Sequence, residues 1–196
     1  MRSIRHCFRS AISSLVLLVA MGTSYSSFAE TIAMIGTGRV GSSLGQRLTH
    51  LGHTVVYGSR DPSRDSVQAL VETTGGGATA ATPAEAAVGA DVVVLAIPWD
   101  AVESVVSSLG DLSGKIIIDP TNPRVIAADG LYDSPLATSN AAMVQAWAPD
   151  AYVVKALTLV PAEEMLDPEY MDFEFILPIA GDDPEAKAWV AEAGST

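Results

Sequence analysis

Between Ile35 and Ser42 the chain reads Gly36-Thr37-Gly38-Arg39-Val40-Gly41, and its flanks give this glycine pattern its meaning. Thr31–Ile35 before it is a short apolar run of strand length. Val40, Leu44, Leu48 and Leu51 after it recur at helical spacing, and Thr54–Tyr57 is a second β-branched run. Strand, glycine turn, helix and strand make a βαβ unit, the context in which G-x-G-x-x-G marks a nucleotide site. Gly36 permits the tight turn, Gly38 lets the backbone approach a pyrophosphate, and Gly41 lets the helix pack close to the strand. The anion then rests on unpaired N–H groups at the positive end of the helix.

The same alternation continues along the chain. Ser66–Glu72 predicts a helix that Gly75-Gly76-Gly77 ends, and Ala78–Ala81 a short third strand. Thr82-Pro83 with Glu85 opens a helix by cap, first-turn proline and acid. Asp91–Ile97 is a continuous apolar run, as expected of a strand buried on both faces of a parallel sheet. Helices are predicted at Val102–Leu109 and Asn140–Trp147, and strands at Lys115–Asp119, Ala151–Val160 and Phe173–Ile179. Asp182-Asp183-Pro184 starts a last helix that Gly194 would end, and Pro120 to Pro135 is a looser stretch. Strands separated by helices of this size predict an α/β fold, a doubly wound, mostly parallel sheet of the Rossmann type.

The end of the second strand selects the dinucleotide. A site that reads a free ribose hydroxyl places Asp or Glu there, about 20 residues past the fingerprint. This chain has Gly58-Ser59-Arg60-Asp61-Pro62-Ser63-Arg64. Ser59 offers a hydroxyl, and Arg60 and Arg64 offer guanidinium forks that match a phosphate in a bidentate way. NADP is therefore expected over NAD. The competing reading is a solvated basic turn neutralised by Asp61 and Asp65.

The first thirty residues form a separate object. Arg2, Arg5, His6 and Arg9 make a positive start, Leu15–Met21 is an unbroken apolar run, and Ser27 and Ala29 place small residues at −3 and −1 of a cut before Glu30. This is the three-part grammar of a secretory signal peptide, with an apolar core too short to span a bilayer. The expected organisation is a signal peptide at 1–29 and an NADP-binding Rossmann domain at 30–196, with the mature chain exported and periplasmic. The alternative is a cytoplasmic protein translated from Met21. Export also conflicts with an intracellular NADPH supply. Three of the 11 basic residues precede Glu30, leaving eight against 23 acidic ones, so the field of the mature chain opposes nucleic acid. The only cysteine, Cys7, lies in the leader, which excludes a disulfide framework, a zinc cluster or a cysteine nucleophile.

Several segments occur together in one known group: Gly36–Gly41, Gly58–Pro62, Ala96-Ile97-Pro98-Trp99, Asp119-Pro120-Thr121-Asn122-Pro123, Val153–Ala156 and Ile179–Pro184. By these the chain resembles the NADPH-dependent reductases of the deazaflavin coenzyme (F-420), a group similar to the cytosolic domain of metalloreductases. It is similar, at superfamily level, to the cofactor domain of pyrroline-5-carboxylate reductase. The resemblance covers roughly Thr31 to Gly194. It implies that Thr37, Gly38, Arg39, Val40, Ser59, Arg60 and Arg64 hold NADP, with Ile97 and Ala156 near the nicotinamide. Two departures stand out. Ala156-Leu157-Thr158-Leu159 replaces the Ala-Phe-Asn-Thr frequent in the group. The group also continues past the last helix, so the domain is expected to be short of its last strand.

Other candidates carry two readings each. Ile97-Pro98 ends a strand at the expected cleft, and Trp99 after it either walls that cleft or packs the helix start. Asn122 either bonds the nicotinamide ribose or amide, or belongs to a plain Thr-Asn-Pro turn. Lys155 ends a strand beside the cleft, with structural use the stronger expectation. His50 and His53 are expected on the surface without a third metal ligand. No acid–base pair or metal set stands out, so no catalytic residue or metal is assigned. That suits direct hydride transfer, in which the protein supplies positioning. The expected activity is hydride transfer between NADP(H) and a small-molecule acceptor of deazaflavin or flavin type, with a homodimer as one allowed assembly. An imine reductase of the pyrroline carboxylate group needs a further helical domain that this length excludes. The alternative is an NADP-binding module without turnover.

Overall fold

The computed structural model describes residues 29–126, 128–130, 132–133, 136–167 and 176–195. Six strands form one parallel sheet: β1 (Thr31–Ile35), β2 (Thr54–Gly58), β3 (Thr79–Ala81), β4 (Val92–Leu95), β5 (Ile116–Asp119) and β8 (Tyr152–Lys155). Their spatial order is β3-β2-β1-β4-β5-β8. A separate two-stranded antiparallel ribbon, β6 (Val125–Ile126) and β7 (Tyr132–Asp133), lies in the stretch the sequence left irregular. The helices are α1 (Arg39–His50), α2 (Asp65–Thr74), α3 (Pro83–Val88), α4 (Trp99–Val106), α5 (Asn140–Trp147), α6 (Ala162–Leu166) and α7 (Pro184–Ser195). Among the described residues no helix is long and apolar enough to cross a membrane.

Strand periodicity builds the two halves of the core. In β1, Ala33 and Ile35 point to one face while Ile32 and Met34 point to the other, and all four are buried. Val93 and Leu95 of β4 join the first cluster, with Val102 and Val106 of α4 and Val144 of α5. Val92 and Val94 join the second, with Leu44 and Leu48 of α1 and Val190 of α7. Burial on both faces explains why these strands read as unbroken apolar runs. The sheet reverses its strand order between β1 and β4, which leaves a crevice at their carboxyl ends.

Most predicted elements stand, with shifted ends. The strand expected over Ala151–Val160 stops at Lys155, because Leu157 takes a positive φ of 63° and turns the chain. Of the strand expected at Phe173–Ile179, positions 173–175 lie outside the described residues and Ile176–Ile179 is irregular. Only Ala180 reaches the sheet there, as a single antiparallel bridge to Lys155. α7 continues through Gly194 instead of ending at it. α6, which the sequence reading lacked, packs extensively on α1. Residues 1–28, the expected leader, lie outside the described residues.

Candidate functional site

A cleft of about 660 Å³ opens at the crevice between β1 and β4. Gly36, Thr37 and Gly38 line it from the turn after β1, and Ser59, Arg60, Asp61 and Arg64 from the turn after β2. Ala96, Ile97 and Pro98 close it from the end of β4. Parallel register explains the meeting: Ile35 pairs with Gly58 and Leu95, so the turns of three neighbouring strands leave the sheet at one level. Pro83 of α3 and Ala101 and Val105 of α4 also line the cleft. From the sequence, Pro83 and Val105 are expected only as helix residues and Ala101 falls just before a predicted helix, and no local signal separates a cleft-lining helix position from any other.

The glycines carry out the separate tasks their spacing suggested. Gly36 adopts φ +116°, and a Cβ there would overlap the Ala96 carbonyl oxygen. A Cβ on Gly41 would strike the Gly36 carbonyl oxygen, so this glycine sets how closely α1 meets the turn. Around Gly38 a Cβ would meet nothing within 4 Å, although the residue lines the cleft. The space in front of Gly38 is therefore free for a ligand. α1 starts there with no side-chain cap and no acid in its first turn. The contrast is α3, where Thr82 and Glu85 form a reciprocal capping box. An uncapped helix start facing an open cleft presents unpaired N–H groups to an anion.

The turn after β2 is organised internally and leaves its cations to the cleft. Ser59 is buried, and its Oγ donates to the Asp61 carbonyl at 3.1 Å. The Asp61 carboxylate accepts from Ser63 N at 3.2 Å and Ser63 Oγ at 2.7 Å. Among the described residues Arg60 and Arg64 form no ion pair, so neither Asp61 nor Asp65 neutralises them. Both arginines are exposed at the cleft. A pyrophosphate at the uncapped helix start and an extra phosphate at two unpaired guanidinium groups fit this donor set.

Other expected site residues lie elsewhere. Arg39 leads α1 but its guanidinium pairs with Glu163 of α6, and this partner holds the Glu163 carboxyl below its ordinary range. Val40 packs into the core on the α1 face. Asn122 is exposed and does not line the cleft. Ala156 is buried and borders a different cavity of about 280 Å³, with Leu157, Leu177 and Ile179. Thr158 beside it has a buried Oγ1 with no hydrogen-bond partner. Trp99 lies tilted against Trp147 of α5, ring centroids 5.6 Å apart, and is not among the residues lining the cleft. His50 is exposed as expected, whereas His53 is buried against Trp189, a correction produced by the packing of α7 on this edge.

Lys155 belongs to a buried polar cluster that the sequence reading did not assemble. Asp119, fully buried at the end of β5, accepts from Thr121 N and from Asn140 Nδ2, each at 2.9 Å. Lys155 Nζ stands 3.3 Å from the same carboxylate and donates also to the Thr121 carbonyl. Burial is the larger influence on Lys155 and lowers its pKa, while Asp119 opposes that shift. The cluster clamps the Pro120–Thr121 turn between β5, β8 and the start of α5. An acid ending an apolar strand and a lysine ending the next were the available signals.

The sequence profile of a family described as NADP oxidoreductase, coenzyme F420-dependent, matches residues 31–123. The metalloreductase STEAP3 of Rattus norvegicus is 30% identical over 166 residues, 84% of this chain but 31% of that protein. The chain thus spans about a third of that relative. A solved chain from an Arthrobacter species, described as an F420-dependent NADP-reductase, superposes with a TM-score of 0.75 at 30% identity. That match covers 83% of this chain and 78% of the other. Pyrroline carboxylate reductase of Plasmodium falciparum, solved with NADP bound, gives a TM-score of 0.57 at 14% identity, over 84% of this chain and 53% of that one. This last likeness concerns the fold.

Proposed function

The chain belongs to the family of coenzyme F420-dependent NADP oxidoreductases, and from that membership we propose that it carries hydride between NADP(H) and a planar acceptor of deazaflavin or flavin type. One observation carries the cofactor half of this reading. A single cleft joins the uncapped start of α1 to two arginines that have no ion-pair partner among the described residues, and to Ile97-Pro98 at the end of β4.

When bound, NADP(H) supplies the hydride equivalent, and the chain supplies position. Thr37, Gly38 and the first amides of α1 hold the pyrophosphate. Ser59, Arg60 and Arg64 hold the 2′-phosphate, with the Ser59 hydroxyl turning from the Asp61 carbonyl toward it. Ile97 and Pro98 give the nicotinamide an apolar wall that excludes water from one face. No proton has to move on the protein for such a transfer, in keeping with a cleft in which Asp61 is the only lining carboxylate among the described residues. Positioning alone can supply a large part of the rate.

Stopped-flow mixing tests the activity. NADPH-loaded protein is mixed with a deazaflavin, a flavin and a ferric chelate, and oxidation is followed at the nicotinamide absorbance. Acceptor-dependent oxidation by one of the ring acceptors is expected. Oxidation by none of the three would leave an NADP-binding module without turnover.

A further inference from the structure

The opposite edge of the sheet gathers a second set of polar groups. Because the strands are parallel, the residues that precede β1, β2 and β4 stand side by side there: Glu30, His53 and Asp91. The Glu30 backbone N–H donates to His53 Nδ1 at 3.2 Å, and the next amide, Thr31 N–H, donates to Asp91 Oδ2 at 2.9 Å. The Glu30 carbonyl accepts from Thr54 N at 3.0 Å, which fixes this nitrogen against the sheet. His53 is buried against Trp189, and that burial lowers its pKa, favouring the neutral form whose Nδ1 can accept. The Glu30 and Asp91 carboxyl groups meet, and burial followed by this contact raises the Glu30 pKa.

An imidazole acceptor thus stands on the Glu30 nitrogen and a carboxylate on the very next amide, with no salt-bridge cation among the described residues to match the acid pair. Among the described residues neither Glu30 nor Asp91 has a salt-bridge partner. Lys115 lies on the same edge, but its Nζ is engaged by the Ala90 carbonyl at 2.6 Å and the Val88 carbonyl at 3.4 Å. An amide offers this setting one proton and no charge. An ammonium would offer three donors and a positive charge, which suits a neutral imidazole and a carboxylate. The peptide bond on this nitrogen is the one that Ser27, Ala29 and the apolar run Leu15–Met21 mark for cleavage. Ala29 is exposed, and the buried part of β1 begins only at Ile32.

We propose that Ala29–Glu30 is a processing site and that the ammonium released on Glu30 docks between His53 Nδ1 and the Asp91 carboxylate. In the hydrolysis, water adds across the peptide bond. Ala29 leaves on the leader with a new carboxylate, and the Glu30 nitrogen keeps the pair of electrons and is protonated. The site and the sheet edge are then one device, because the cut supplies the charge that the edge lacks.

The full chain is expressed in a bacterium with its own leader peptidase, fractionated, and read by intact mass and N-terminal sequencing. The expected product starts at Glu30. Its unmodified α-amine, titrated by NMR through the chemical shift of the Glu30 α-carbon in isotope-labelled protein, should ionise above the ordinary range of about 7.7–8.0. Asp91→Asn should bring it back into that range. If Asp91→Asn does not fold, the wild-type chain made with Ala29 retained provides the comparison, and its amine should titrate normally. A cytoplasmic chain starting at Met21, any start other than Glu30, or an ordinary pKa in the Glu30-started protein would overturn the proposal.

Discussion

Arg60, Gly36 and Gly38 show how much one position can carry. Among the described residues Arg60 has no ion pair to break, so removing it should leave the fold alone and act on the ligand. Arg60→Ala should weaken NADP binding by roughly 1.5–3 kcal/mol and NAD binding little, as expected for a lost charge-assisted pair. Calorimetry with both dinucleotides checks this, and parallel losses for the two would contradict the phosphate role. The two glycines should separate stability from binding. Gly36→Ala places a Cβ against the Ala96 carbonyl at φ +116° and should destabilise the domain by on the order of 3 kcal/mol. Gly38→Ala meets nothing in the protein, so its unfolding midpoint should match wild type while NADP affinity falls. Urea titration combined with calorimetry reads both effects in the same two samples.

At the scale of elements, the β5 and β8 ends are tied by charge inside the molecule. The Lys155 ammonium is disfavoured by burial, so its folded pKa lies below its value in the unfolded chain. Below the folded pKa both states hold the proton. Between the two values the unfolded chain holds it and the folded chain does not. Stability contributed by this group therefore rises with pH through that window, which closes near the ordinary lysine value of 10.5. Lys155→Met should abolish this rise. Plotting the unfolding free energy of both proteins against pH, between neutrality and about pH 10, should show curves of different slope. Parallel curves would mean that Lys155 titrates as an exposed lysine. Local signals also explain which elements were legible. Thr82, Pro83 and Glu85 announced α3 because a capping box is built within four residues. α6 has five residues and packs on α1, a partner over a hundred positions away, so nothing local declared it.

For the whole molecule, ligand and fold are one equilibrium, because the cleft needs three strand ends at one level. NADP at a hundred times its dissociation constant should add about 2.7 kcal/mol to unfolding. In a domain of this size that raises the midpoint by roughly 5–10 °C. NAD at the same concentration should add less, and equal shifts in a thermal scan would refute the preference. Much of this architecture was readable beforehand. Apolar period, glycine spacing and the missing acid after β2 are properties of neighbours along the chain, so they announced the βαβ unit, the doubly wound sheet and the choice of NADP. Assembly of distant segments could not be announced that way. Arg39 meets Glu163 only because α6 returns to α1, and His53 looked exposed until α7 brought Trp189 over it. Asp119, Asn140 and Lys155 became one cluster only when β5, α5 and β8 met. The physical reason is range: backbone preference and hydrophobic period act over a few residues, whereas burial and charge pairing depend on whatever the fold places within a few ångströms.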